Sequence, residues 1–460
     1  MSIINNQLTM MKSRHILYIM FIVSTMLMVA CGEDRTYQYV EKTQHNHWIH
    51  DLMLDEYLWA DSLTDYTPTW KNYFAEPSAF LELLTKQSKN ADTWSYVEID
   101  SIDDDAHSNG YFLHYESYGL DFLLMTDPTG QTTKQVLRVI TVYPDSPAEH
   151  AGLLRGDYIC SYNGYKLTAN NIKRLQRGPA RTLQVCHMEA DPEEGFYYWA
   201  DTIEVQLEPS EYVEDVAFPV TTVTDVEDRR VGYLMCTRLV EWPIEQGDRR
   251  GNNPVYRDRL DAIIQQLKAA SLDEMILDLR LCNYGTIEMA QRLASFVVSS
   301  SALGGTFVKT FWNERYTDNN ITLPYDTSVP NLGLNRIYII TSDRTQGAAE
   351  WLIHALQHSM GTENVIIIGT ETAGQNVMTK EIGHDFYVSL NSVVAYVSDG
   401  SGDYDYAPIV PSIYENEFTY LNLYEYGIAE EVLFNTALQH MFGMRQIDST
   451  EEEESDSLSE

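Results

Sequence analysis

The stretch that most restricts what this chain can fold into runs from Arg336 to Asn376, R-I-Y-I-I-T-S-D-R-T-Q-G-A-A-E-W-L-I-H-A-L-Q-H-S-M-G-T-E-N-V-I-I-I-G-T-E-T-A-G-Q-N. Ile337 to Ile340 form a β-branched apolar run, too short for a helix and bounded by polar residues. Trp351, Leu352, Ala355, Leu356 and Met360 then recur at helical spacing within Ala348 to Met360. Val365 to Ile368 form a second buried strand, closed by Gly369 and Gly374. Strand, tight turn, helix, strand and glycine turn make a βαβ unit, so the domain around it is α/β.

The segments Thr345-Gln346-Gly347-Ala348-Ala349-Glu350 and Gly374-Gln375-Asn376-Val377 carry a specific resemblance. They are similar to the catalytic core of the C-terminal processing peptidases, also called tail-specific proteases. In that family a T-A-S-A-[AS]-E-like segment opens the helix with a nucleophilic serine, and a G-K turn after the next strand supplies a lysine base. The resemblance places Gly347 at the serine position and Gln375 at the lysine position. A Ser–Lys pair needs a hydroxyl to attack and an amine to take its proton. Glycine has no side chain, and a glutamine amide takes up no proton near neutral pH. The expectation is a scaffold whose hydrolytic chemistry has been removed.

Two neighbours are candidate substitutes. Ser342 lies five residues before Gly347, at the strand end, and Lys380 five residues after Gln375. In a strand an odd offset puts Lys380 on the face opposite Gln375. His354 and His358 share a helix face at i, i+4, but no H-E-x-x-H surrounds them, so they are read as surface residues and no metal is expected. No cofactor is implied either.

Leu272 to Arg280, L-D-E-M-I-L-D-L-R, ends a buried strand and matches the family's D-L-R-x-N-x-G-G, continuing here as Leu281-Cys282-Asn283-Tyr284-Gly285. In the family this glycine turn gives a backbone N–H to the oxyanion hole. The resemblance therefore implies oxyanion-hole positions at Gly285 and Ala348, with Tyr284 and Cys282 as further departures. Tyr404 to Pro411, Y-D-Y-A-P-I-V-P, resembles the family's closing D-Y-x-x-G-I-x-P-D, with Ser412 for the aspartate.

The amino-terminal 30 residues read as a targeting segment, with Lys12 and Arg14 before an apolar run from Ile16 to Ala30. The run ends Met28-Val29-Ala30-Cys31-Gly32, which resembles a bacterial lipobox, and implies lipidation of Cys31 and a membrane anchor that does not span the bilayer. A transmembrane anchor is the alternative, although the run is short of ~20 residues. Glu33 and Asp34 resemble the export tag of Bacteroidota surface lipoproteins. The expected location is the outer membrane, facing the periplasm or the exterior. A formal net charge of -37 argues against nucleic acid and anionic membrane surfaces as partners.

Residues 31–108 read as a small helical domain, with W-I-x-x-x-M-x-x-x-Y-L-W from Trp48 to Trp59 resembling the N-terminal domain of Bacteroidota members of the same family. Residues 109–208 read as a β-rich module. Its Ser146-Pro147-Ala148-Glu149-His150-Ala151-Gly152-Leu153, Gly156-Asp157-Tyr158-Ile159 and Asn163-Gly164 resemble a PDZ domain. Such domains bind a polypeptide, often a protein C-terminus, by strand addition. The resemblance puts the carboxylate loop at Tyr118, Gly119, Leu120, Asp121 and Phe122, where Asp121 departs from the usual glycine and adds a charge that disfavours a terminal carboxylate. A PDZ fold that only packs on the core is the competing reading. Of the remaining cysteines, Cys160 and Cys186 are the pair within reach of one another in a small domain, with buried free thiols as the alternative for all four.

The expected architecture is a ββα-spiral α/β core at 230–446, a PDZ domain, a connector at 209–229, the helical domain, and an acidic disordered tail at 447–460. The expected function is a catalytically inactive serine-peptidase homologue, an envelope lipoprotein that binds polypeptides or chain termini. An active endopeptidase with displaced groups and an inert structural lipoprotein are the alternatives.

Overall fold

The computed structural model describes residues 36–88, 92–99, 114–214, 216–242, 254–385, 388–402 and 407–443. Cys31, Tyr404 and the tail at 447–460 lie outside them. Among the described residues no helix is long and apolar enough to cross a membrane. The chain divides into two compact units, residues 1–100 with 381–392, and residues 101–380 with 393–460.

In the first unit, helix α1 (Thr36–Glu56) and helix α2 (Pro77–Thr85) bury Ile49, Met53, Phe80, Leu81 and Leu84. Ile49 and Met53 on α1 and Tyr57 just beyond it recur every four residues and are buried, beside the buried polar Thr43 and Asn46. Tyr57 donates to Asp92 at 3.0 Å, and strand β1 (Tyr96–Ile99) pairs antiparallel with Val388 to Asn391.

The second unit begins with β2 (His114–Ser117), followed by β3 (Leu120–Thr126), β4 (Gln135–Val142), helix α3 (Pro147–His150), β5 (Tyr158–Tyr162), β6 (Tyr165–Lys166), β7 (Arg181–Ala190) and β8 (Tyr197–Leu207). Strands β3, β4, β5, β7 and β8 make one antiparallel sheet in that order, with β3 at an edge. Ser146 caps α3 by accepting from Glu149 N–H, and Pro147 occupies the first turn, where its missing N–H costs nothing. A disulfide joins Cys160 to Cys186, on the neighbouring strands β5 and β7.

The span 209–229, expected as a connector, instead carries two strands. β9 (Glu211–Glu214) pairs with β2, and β10 (Thr221–Val226) pairs with β11 (Arg229–Met235). Its prolines and acidic residues suggested a loop, but Thr222, Thr224 and Val226 alternate as an edge strand does.

Strand β10 is the antiparallel edge of the main sheet, whose order is β10, β11, β12 (Glu274–Asp278), β15 (Ile337–Thr341), β16 (Val365–Gly369) and β19 (Ile413–Tyr414). From β11 to β19 the pairing is parallel. Helices α4 (Val255–Ala269), α5 (Ile287–Val297) and α6 (Ala348–Met360) lie in the connections between these strands. Alternation sorts the two faces: Ile337 and Ile339 pack with α4, α5 and α6, while Tyr338 and Ile340 pack with helix α7 (Val432–Phe442). Outside this sheet, β13 (Thr306–Trp312) pairs with β14 (Thr322–Pro324) and with Ala395 to Ser398 of β18 (Val388–Ser398), the strand that follows β17 (Val377–Asp385). The fold is thus an α/β core with a PDZ module and a small N-terminal helical unit.

A buried ionic cluster ties the PDZ module to the core. Arg280 donates to Asp278 at 2.9 Å, to Glu417 at 2.7 Å and to Glu431 at 2.7 Å. Arg155, from the turn before β5, pairs with the same Glu417 and donates to the Tyr424 carbonyl at 2.6 Å. Arg138 on β4 donates to the carbonyls of Phe418, Tyr420 and Leu421. Each of these three arginines is buried, so the cluster is stable only because nearly every charge has its partner.

Candidate functional site

The β15–α6 turn is built by hydroxyls. Ser342 donates to the Arg280 carbonyl at 2.6 Å, and Thr345 donates to the Leu279 carbonyl at 2.9 Å. Both fix the turn against the Asp278-Leu279-Arg280 strand end. The Ser342 hydroxyl also accepts from Arg344 N–H at 3.0 Å, so it serves the turn.

Gly347 precedes α6 with φ +59° and ψ -113°, in the region that favours glycine. A Cβ placed on it would meet Gln375 Oε1 at 3.3 Å. The structure therefore brings the two positions expected for nucleophile and base side by side. The space between them is filled: Gln346 donates to Gln375 Oε1 at 2.7 Å, and Gln375 donates to the Val377 carbonyl at 3.2 Å. Gln375 and Gly347 are both buried.

Gly285 lies against α6. A Cβ there would sit 2.5 Å from Leu239 Cβ and 2.8 Å from Ala348 Cβ, closer than real Cβ atoms approach. The two expected oxyanion positions are thus adjacent, and only glycine fits at 285. Leu239 holds the turn, donating to the Tyr284 carbonyl at 2.9 Å and accepting from Thr286 at 2.8 Å. Tyr284 is half-buried, and burial pushes its phenol up.

Glu350 was not singled out from the sequence, yet it organises the site. Its carboxylate accepts from Gly347 N–H at 3.1 Å, Gly374 N–H at 2.7 Å, Gln375 N–H at 2.7 Å and the Thr372 hydroxyl. Burial pushes its carboxyl up, against the pull of these four donors. The available signal was position: Glu350 is the third helical residue, where a carboxylate caps the helix start.

Lys380 is exposed, with its ammonium 5.8 Å from the centre of the Trp312 ring. His358 lies 3.9 Å from Asp399. Among the described residues, the acidic and histidine side chains that converge as metal ligands do are Asp145, Glu149 and His150, all exposed.

In the PDZ module, Tyr118 and Gly119 form the turn, and Leu120, Asp121 and Phe122 open β3. Gly119 has φ +73°, and a Cβ would collide with Ser146. The loop's donors are engaged internally. Tyr118 N–H goes to the Gln176 carbonyl, Gly119 N–H to Ser117 Oγ, and Phe122 N–H to Asp121 Oδ1. The other Asp121 oxygen is ion-paired with Arg344 in the β15–α6 turn. Arg344, too, went unremarked in the sequence, where nothing local marks a partner 223 residues away.

Three family models match the chain in order: the peptidase S41 N-terminal domain over 44–96, a PDZ domain over 138–183, and peptidase family S41 over 230–406. The chain belongs to peptidase family S41. Among solved structures, a candidate S41 protease of Bacteroides fragilis is 27% identical, with 87% of this chain and 98% of that one covered at a TM-score of 0.73. The photosystem II D1 C-terminal processing protease is 14% identical, covering 82% and 93% at a TM-score of 0.47. No curated protein sequence matches. Gly347 and Gln375, the residues that the sequence resemblance puts at the serine and lysine positions, lie next to one another.

Proposed function

We propose that this S41 member is catalytically inactive and serves as a polypeptide-binding lipoprotein of the cell envelope, anchored through Cys31 in the outer membrane. The observation that carries the loss of catalysis is the Gln346–Gln375 amide pair beside Gly347. Neither amide attacks a carbonyl or removes a proton, and Gln375 crowds the space a serine side chain would enter.

Binding is assigned to the β3 edge of the PDZ module. Among the described residues β3 has a ladder partner only on its β4 side, so its other edge is available for strand addition. Three of the loop N–H groups, those of Tyr118, Gly119 and Phe122, are already used, and Asp121 is paired. This favours internal segments of extended polypeptide over free C-termini.

The deciding experiment incubates the purified mature protein with a library of fluorogenic peptides and, separately, measures binding of the same sequences by anisotropy. Binding without cleavage is expected, with amidated and free-acid peptides bound equally. Cleavage that survives repurification would overturn the reading, as would the absence of any binding.

A further inference from the structure

Cys236 and Cys282 are both fully buried, and their sulfurs lie 3.9 Å apart. Cys236 directly follows β11 and Cys282 lies four residues beyond the end of β12, the adjacent parallel strand. Cys236 N–H donates to the Asp278 carbonyl at 2.9 Å, so the two backbones are already held together there. A bond of about 2.05 Å requires the two sulfurs to close by roughly 2 Å.

We propose that Cys236 and Cys282 form a disulfide in the exported protein, a staple beneath the altered site. The proposal rests on the export reading above, because such bonds persist only in oxidising compartments. The oxidant is a protein or small-molecule disulfide. One cysteine thiolate attacks it, forming a mixed disulfide and releasing one thiolate. The second cysteine thiolate then displaces the other half of the donor. Two protons leave the cysteines, and the donor's sulfur pair takes up two electrons as two thiols. Since both sulfurs are fully buried, the exchange occurs before the core closes, and the finished bond is shielded from reductant.

The location gives the bond its effect. The Cys282 carbonyl accepts from Gln346 N–H at 2.9 Å, immediately before Gly347. Leu239, three residues after Cys236, ladders with the Tyr284–Gly285 turn. A covalent link between 236 and 282 therefore fixes both turns of the site through one short frame. It would also close a loop spanning 46 residues, which restricts the unfolded chain.

The test is peptide mapping of the protein isolated from the envelope, denatured and alkylated in acid without reductant. A cross-linked Cys236–Cys282 peptide is expected beside the Cys160–Cys186 one. Alkylated Cys236 and Cys282 with Cys160–Cys186 intact would overturn the staple and leave the export reading standing. Alkylation of all four would overturn both. As a second measurement, a Cys160→Ala/Cys186→Ala variant isolated the same way should melt on the order of 10 °C lower after refolding in reductant. No dependence on reductant in that variant would overturn the proposal. The further change Cys236→Ala should abolish the dependence, and its persistence would also overturn it.

Discussion

Arg344, in the turn that leads into α6, is ion-paired with Asp121 at the start of the PDZ edge strand. The pair links the start of β3, which the resemblance puts in the carboxylate loop, to the β15–α6 turn, which it puts at the nucleophile. On the proposed reading, the protein's own Asp121 carboxylate engages Arg344 beside the loop assigned to peptide binding.

Asp121→Gly should therefore change binding in a specific direction. It frees the Arg344 guanidinium and the Phe122 N–H together, giving a cation and a donor to a terminal carboxylate. A charge–charge gain of about 1 kcal/mol in a half-exposed site corresponds to several-fold tighter binding. Titrating free-acid and amidated versions of one peptide should show the gain for the free acid alone. Equal change for both would remove the loop from carboxylate recognition.

The unmodified protein should not hydrolyse peptide bonds, a loss on the order of 10⁶ in kcat against an intact dyad. Gly347→Ser alone should remain inactive, since no base stands beside it. The serine also takes on φ +59°, a strain of about 1–3 kcal/mol, and its Cβ presses on Gln375. Gly347→Ser with Gln375→Lys removes that amide and supplies the base. Labelling by a serine-directed acylating probe should follow for the double variant and not for either single one.

Acid should unfold the core through Glu431. Burial acts to raise its carboxyl, but the Arg280 ion pair outweighs this and holds it below the ordinary value. A folded value below the unfolded one means that this contribution is complete above the unfolded value of about 4.5 and fades as pH falls through the folded one. Glu431→Gln should cost about 3 kcal/mol at neutral pH, because it leaves Arg280 short of a buried partner. It should also flatten the loss of stability below pH ~4.5, measured by denaturant titration across pH.

Cys31→Ala should stop lipid attachment and release the protein from detergent-dependent extraction. Metabolic labelling with a palmitate analogue measures this, and unchanged labelling of the variant would remove Cys31 as the anchor.

The sequence made the β15–α6–β16 unit legible almost to the residue, since Ile337 to Ile340 and Ala348 to Met360 follow periods that only one pairing of strand and helix satisfies. The PDZ module was legible from the resemblance of Ser146 to Gly164 to a PDZ motif, and a PDZ family model matches 138–183. The Gly347–Gln375 neighbourhood followed from the family pattern, and the geometry gives it a distance. What stayed hidden was long-range polar pairing. Arg280, Glu417 and Glu431 are spread over 151 residues, and no local period links them. Strand β10 was hidden too, because an exposed edge strand lacks the apolar alternation that marks a buried one.

The Arg155–Glu417–Arg280–Glu431 cluster has a consequence for how this protein can be taken apart. Excising the PDZ module would strip Glu417 of one of its two arginine partners and open the fully buried Arg280 to water. The segment 417–431 would then have no wall to fold against on that side. The second unit should accordingly melt as one cooperative block, and a protease should find no productive cut between module and core until the whole block opens.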